Sequence, residues 1–190
     1  MFAKTIGPEL ELRPVDHTHC EALHAMTEAN RARFRTWFAW VDGAKSPADA
    51  KAFVKSAMET AARDEGFQTV ILWRGKVVGS IGFHNWQAAH RMTSMGYLLD
   101  QGAEGKGFMT AAVRAMLDYA LIERQMNRVE IRAAVENGRS RAVPERLGFT
   151  YEGIARQAEW MYDHYHDLAV YSMLREEWML KRESAGDSAR

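Results

Sequence analysis

Along the chain, Leu10, Leu12 and Val15 alternate with Glu11, Arg13 and Asp16, a period of two that predicts a strand ending at Pro14. Helical spacing follows through Asn30, with Cys20, Leu23, Ala25 or Met26 and Ala29 on one face. A second amphipathic helix begins after Ser46-Pro47 and carries Ala50, Phe53, Val54, Ala57 and Ala61. Between the two lies a segment, Asn30–Val41, rich in Arg and Trp. From Gly66 the pattern turns to β. Phe67–Trp73 and Val77–Phe83 flank Arg74-Gly75-Lys76, a connection of hairpin type, and after the polar stretch Asn85–His90 a third run, Met92–Leu99, stops at Asp100-Gln101-Gly102.

A glycine-rich loop, Gly102–Gly107, then runs into a helix over Phe108–Glu123 whose Met109, Ala112, Val113, Met116, Leu117, Ala120 and Leu121 form one face. A strand at Arg128–Val135, a short helix near Arg139–Leu147 and strands near Phe149–Arg156 and Asp167–Leu174 complete an α+β chain without repeats or linkers. Residues 1–180 read as one domain, and the small, polar tail Lys181–Arg190 reads as disordered.

Composition narrows the function classes. The chain has 190 residues, 47% of them hydrophobic, with 25 Lys and Arg against 25 Asp and Glu, so no net charge points to the phosphate backbone of nucleic acid. That length buries a core without staples. A single cysteine, Cys20, forms no intrachain disulfide and supplies no zinc spacing; it reads as a half-buried helix residue of a reducing, cytoplasmic location. The segment Met1–Glu11 lacks the apolar run of a secretory signal, and runs such as Thr69–Trp73 are too short to span a bilayer, so no membrane association is expected.

Strand, glycine loop and helix in succession can hold a diphosphate. The first turn of a helix leaves backbone N–H groups unpaired at a positively polarised end, and glycine lets the backbone approach a ligand closely. Gly102, Gly105 and Gly107 fit neither a Walker loop nor G-x-G-x-x-G. Taken alone, the cluster is equally a flexible connection that starts a helix.

Some thirty residues on, after a strand, stands Asn137-Gly138-Arg139-Ser140-Arg141-Ala142-Val143-Pro144-Glu145-Arg146-Leu147-Gly148-Phe149. The pair of motifs, E-G-K-G-F-M-T-A-A-V followed by N-G-R-S-R-A-V-P-E-R-L-G-F-T-Y-E-G, resembles the GCN5-related N-acetyltransferase (GNAT) superfamily, in particular its RimJ/RimL-like branch acting on ribosomal-protein N-termini. The resemblance runs from L-E-L-R-P near residue 10 to near Trp178. It implies a mixed β-sheet splayed in the middle, flanked by helices, with acetyl-coenzyme A (acetyl-CoA) in the split. Pantetheine would pair with the backbone of Gly96–Leu99, including Tyr97, Leu98 and Leu99, and the pyrophosphate would sit on amides of Glu104, Gly105, Lys106, Gly107, Phe108 and Met109. Thr110 would lie near the phosphates or cap the helix, and Asn137 would hold the pantetheine side. One departure is Gly102, three positions before the loop's first family glycine, where the superfamily often carries Gln or Arg.

Acetyl transfer needs a base for the attacking ammonium, a donor for the oxyanion and an acid for the leaving thiolate. By similarity to the RimL-like Q-A-E, here Gln157-Ala158-Glu159, Glu159 is the candidate base, and Ser140 the candidate acid or orienting hydroxyl. Each has a plain alternative, a solvated strand carboxylate for Glu159 and a helix N-cap for Ser140. An oxyanion donor would be a backbone N–H near Tyr97 or Leu98. An α-amine with a pKa near 7.7–8.0 is roughly a tenth neutral at pH 7, whereas lysine at about 10.4 is almost wholly charged, so one modest carboxylate suits an N-terminus.

In the same superfamily the first helical region usually borders the acceptor groove. Arg35, Trp37 and Trp40 are therefore candidate acceptor contacts, with His84 as another wall, although the same residues also read as a solvated helix anchored by aromatics. Asp163, His164, His166 and Asp167 are metal-ligand types, but Tyr162–Asp167 reads as a turn and no metal is expected. The leading expectation is thus an acetyl-CoA-dependent N-acetyltransferase acting on a protein N-terminus. Its rivals are a small-amine acetyltransferase acting on aminoglycosides or polyamines, a non-catalytic acyl-CoA sensor, and, least favoured, an RNA-bound factor using Arg31, Arg33 and Arg35. A homodimer is the expected assembly, the six Trp, several in loops, leaving apolar area for a partner to cover.

Overall fold

The computed structural model describes residues 2–187. It opens with a strand missed in the sequence, β1 (Lys4–Gly7), too short to show a period, which turns back into β2 (Leu10–Pro14). Asp16 accepts a hydrogen bond from the Thr18 amide, starting a 3-10 turn that leads into α1 (Cys20–Ala29). After Asn30 the chain re-enters helix as α2 (Arg31–Arg35). α3 (Pro47–Ala62) has a reciprocal cap: Ser46 accepts from the Asp49 amide while the Asp49 carboxylate accepts from the Ser46 amide, and Pro47 occupies the first helical position. Its buried face is narrower than expected, with Val54 and Ala57 inside and Phe53 46% exposed.

Three antiparallel strands follow: β3 (Gln68–Trp73), β4 (Lys76–Gln87) and β5 (Met92–Leu99). β4 continues through Gln87, so part of the polar stretch expected as a loop is strand, kinked by an irregular register between His84 and Gln87. α4 (Phe108–Leu117) passes into a π-helical turn over Asp118–Glu123. Then come β6 (Arg128–Ala134), α5 (Gly138–Arg146), β7 (Thr150–Met161), β8 (His164–Leu174) and α6 (Arg175–Asp187). Two sequence expectations are corrected here. The turn between the last strands is only Tyr162-Asp163, so the last strand begins at His164 rather than Asp167 and makes His164 and His166 strand residues. The terminal helix carries through Asp187, so the tail expected to be disordered from Lys181 is helical that far, and residues 188–190 lie outside the described residues.

The eight strands form one sheet in the order β1-β2-β3-β4-β5-β6-β8-β7, antiparallel throughout except for the parallel pair β5–β6. Helices cover both faces, which explains why β3 reads as continuous apolar sequence. Alternation decides the sides: Val70 and Leu72 pack with Cys20, Leu23, Met26, Val54 and Ala57 of α1 and α3, while Ile71 faces Met109, Ala112, Val113, Met116 and Leu117 of α4. Cys20, expected half-buried, is 4% exposed. Among the described residues no helix is long and apolar enough to cross a membrane.

Candidate active site

The central feature is a gap in the sheet. β5 and β6 pair only at Met92–Arg128, Thr93–Val129 and Ser94–Glu130. Beyond Ser94, β5 stays paired with β4 as far as Leu99, and β6 stays paired with β8 as far as Ala134. Each strand therefore remains bonded on its outer side while the facing edges, Met95–Leu99 and Ile131–Ala134, part company. A polar ligand backbone can pair with those edges as a strand would. Across the opening, the Tyr97 hydroxyl donates to the Ser140 carbonyl oxygen at 2.8 Å. Burial of the phenol raises its pKa above the ordinary value, so it stays protonated as a donor.

At the wide end of the split lies the glycine loop. Asp100 accepts from the Gly102 amide at 2.9 Å, and Gly105 and Gly107 take φ values of 73° and 76°, a region that favours glycine. Gly107 stands at the N-terminus of α4, and the Ala111 amide donates to its carbonyl at 3.0 Å. The amides of Phe108, Met109 and Thr110 thus precede the first intrahelical bond and are available to an anion. A Cβ at Gly105 or Gly107 would meet nothing within 4 Å, so the cradle is open to a ligand. These features fit the pyrophosphate and pantetheine of acetyl-CoA. Thr110 does not cap the helix; its hydroxyl accepts from Arg146 at 2.8 Å, tying α4 to α5. The Lys106 ammonium donates to the Gly102 carbonyl at 2.6 Å.

Residues overlooked in the sequence fix this loop. Buried Asn30 donates to Asp100 at 2.7 Å and accepts from the Gln101 amide at 3.0 Å. Arg33 binds the Leu99 carbonyl and pairs with Glu104 at 2.5 Å, and Arg139 holds the other Glu104 oxygen at 2.6 Å. These partners of Asn30 and Arg33 lie 66–71 residues away and that of Arg139 lies 35 away, beyond the reach of local pattern. Arg31 binds Glu28 and the Val41 carbonyl, and Arg35 binds Asp42, so each of the three arginines has an internal anchor.

The opposite wall is built from β6, α5 and the β7–β8 pair. Asn137, not Ser140, caps α5: its side chain accepts from the Ser140 amide at 3.1 Å. Ser140 therefore sits in the first helical turn, beneath the Tyr97 hydroxyl. On β7, Ala155 pairs with Leu168 and Glu159 with His166, which leaves Arg156–Ala158 facing a single residue of β8. The Gln157 amide donates to Asp167 at 2.7 Å, with Gln157 at φ 49°. This bulge re-aims the strand just before Glu159. The Val135 amide reaches the Asp167 carbonyl at 3.0 Å, so Glu159, across β8 from β6, stands level with the end of β6. The surrounding protein, by displacing water, raises the Glu159 carboxyl above its ordinary value, and the nearby His166 opposes the shift.

The four candidate acceptor contacts do not all meet. The Arg35 guanidinium lies 4.9 Å over the Tyr162 ring, and the Tyr162 hydroxyl donates to the Arg35 carbonyl at 3.2 Å, so the β7–β8 turn holds the end of α2. Trp37 lies 6.4 Å from the His166 ring, and Trp40 is 47% exposed beside Phe38. His84 is placed apart from them, on β4 opposite Ser94, the last residue of β5 paired before the split opens. It neighbours Gln68 at 3.4 Å, and loss of solvation lowers its pKa. Among the described residues no group of three or more His, Cys, Asp or Glu is arranged to hold a metal ion.

Residues 9–150 match the acetyltransferase (GNAT) domain family. YdaF of Bacillus subtilis, whose name proposes ribosomal N-acetylation, is 34% identical over 182 residues, covering 94% of this chain and 98% of the relative. The ribosomal-protein-serine acetyltransferase of Escherichia coli is 25% identical over 169 residues, covering 89% and 94%. Among solved structures, RimL, a ribosomal-protein alpha-N-acetyltransferase in complex with coenzyme A, superposes with a TM-score of 0.89 at 26% identity, covering 93% of this chain and 99% of that one. With its split sheet and open glycine cradle, the chain belongs to the GNAT family of acetyl-CoA-dependent N-acetyltransferases.

Proposed function

We propose that this enzyme acetylates the N-terminal α-amine of a protein, a ribosomal protein foremost, with Glu159 as the base and Ser140 as the acid or orienting hydroxyl. The observation that supports the reading is the setting of Glu159: it follows a bulge in β7, level with the end of β6, and loss of solvation raises its carboxyl above the ordinary value. The names of YdaF, the Escherichia coli enzyme and RimL support the choice of acceptor.

Bound in the split, acetyl-CoA supplies the activated acetyl group. The amides of the glycine loop and of Phe108–Thr110 hold its phosphates, and the free edge of Gly96–Leu99 orients pantetheine. Glu159 takes a proton from the acceptor ammonium, either directly or through water, and the freed lone pair attacks the acyl carbon. Backbone N–H near Tyr97 or Leu98 faces the developing negative oxygen, and the Ser140 hydroxyl protonates the departing sulfur. Arg35, Trp37 and Trp40 border the acceptor path. A cytoplasmic homodimer is part of the same reading.

The test is thiol release from acetyl-CoA with ribosomal-protein N-terminal peptides, aminoglycosides and polyamines as acceptors. Peptide turnover that falls by about 10²–10⁴ in Glu159→Gln, with coenzyme A binding intact, is the expected result. Because the base acts ionised, the acid limb of wild-type kcat/KM lies above the ordinary 4.5 of a glutamate. Turnover confined to small polyamines would replace the acceptor class, and binding without turnover of any amine would favour a sensor.

A further inference from the structure

Glu104 puts a negative charge inside the loop that is to bind the anionic end of the cofactor. Two cations hold it. Arg33 Nη1 donates to one carboxylate oxygen at 2.5 Å, and Arg139 Nη1 donates to the other at 2.6 Å. The three residues come from different parts of the site: Arg33 stands on α2, Glu104 follows β5, and Arg139 lies in the first turn of α5, which follows β6. Because β5 and β6 are the two arms of the split, the carboxylate ties one arm to the other across the wide end.

Arg33 is the fixed end of this tie. The Asp100 amide donates to the Val78 carbonyl of β4 at 2.7 Å, so the alternation of an antiparallel ladder turns the polar groups of Leu99 away from β4 and towards the split. Arg33 Nη2 donates to that Leu99 carbonyl, and to Asn30 Oδ1 at 2.9 Å. Arg33 Nε is the one buried side-chain nitrogen or oxygen without a hydrogen-bond partner among the described residues; the bonds of the other two nitrogens dictate where the guanidinium sits. The side chains of Arg33 and Glu104 are each 26% exposed, whereas that of Arg139 is 79% exposed. An ion pair open to water contributes little and breaks readily. The link from Glu104 to Arg139 is therefore the movable one.

We propose that Arg33, Glu104 and Arg139 form an ion-pair strap that closes over acetyl-CoA where its diphosphate gives way to the pantetheine arm, and slows its release. Leu99 ends the edge that faces pantetheine and Glu104 begins the run of loop amides, and Arg33 binds both, which puts the strap at that junction. With the split empty, water weakens the Glu104–Arg139 link and lets the arms part for entry. A cofactor lying between the arms displaces that water, and the same pair grows stronger as its surroundings become less polar. Glu104 acts through the two arginines and is a positioning residue for the cofactor. The proposal depends on neither the identity of the amine acceptor nor the choice of base.

Release of coenzyme A is followed by stopped flow, and its affinity by calorimetry, for wild type, Glu104→Gln, Arg139→Ala and the double variant. Charge alone gives the two single variants opposite signs, since removing an anion beside the diphosphate tightens binding and removing a cation loosens it. The strap gives them the same sign. Both single variants are expected to release coenzyme A about tenfold faster than wild type. The double variant is expected to be no faster than either, because breaking one link already opens the strap. Thermal unfolding of the cofactor-free protein is expected to be unchanged in Arg139→Ala, whereas loss of a merely structural bond would lower it. Arg139 is exposed, so its variant keeps the fold even if Glu104→Gln does not. Slower release from Glu104→Gln, additive effects in the double variant, release from Arg139→Ala at the wild-type rate, or a cofactor-free Arg139→Ala protein that unfolds earlier overturns the proposal.

Discussion

The hydroxyl of Tyr97 on β5 donates to the backbone carbonyl of Ser140 on α5 at 2.8 Å, so a side chain from one arm of the split sheet holds the backbone of the other. The bond sets the width of the opening at the level where the candidate acid stands. Tyr97→Phe removes it and leaves a half-buried carbonyl without that donor. The expected cost is about 1 kcal/mol of stability, with a several-fold weaker affinity for coenzyme A. Thermal unfolding and a coenzyme A titration check both, and an unchanged variant would show that packing alone sets the width.

The loop's second left-handed glycine invites a cleaner test. Gly107→Ala adds a Cβ that meets nothing of the protein within 4 Å, but it places alanine at φ 76°. The strain is about 1–2 kcal/mol. Gly75, at φ 74° in the β3–β4 hairpin and equally uncrowded, provides the control. Both alanine variants are expected to lose similar stability, whereas calorimetry should show weakened coenzyme A binding for Gly107→Ala alone. Equal affinities would place the phosphates elsewhere.

Far from the split, Glu152 accepts from Arg128 at 2.5 and 2.6 Å and from Ser172 at 2.8 Å. The Arg128 bonds foremost hold its carboxyl down at about 2, below the ordinary 4.5. A depressed carboxyl stabilises the fold fully above its unfolded value and loses that contribution as pH falls towards the folded one. With the side chain 38% exposed, solvent screening limits the effect to about 1 kcal/mol. Glu152→Gln should therefore unfold at lower denaturant than wild type at pH 7, with the gap closing as the solution is acidified from 4.5 towards 2. A gap independent of pH would show that shape, not charge, is what glutamine fails to supply.

What the sequence determined by itself is local. Alternation from Leu10, the apolar run Thr69–Leu72 and the helical face from Met109 to Leu121 mark strands and helices because each depends on spacing between neighbours. The left-handed turns at Gly105 and Gly107 were legible for the same reason, since left-handed backbone is a property of one residue. The residue pairs that shape the site come from tertiary structure. Asn30 and Asp100 meet across seventy positions, Tyr97 spans the split to Ser140, and one bulge pinned by Asp167 decides where Glu159 points. The stretch Tyr162–Asp167 shows the limit most plainly. Its polar residues have the composition of a turn, yet pairing with β7 extends the strand to His164 and puts two histidines on one face. Ladder register depends on which strands meet, and no local period carries that information.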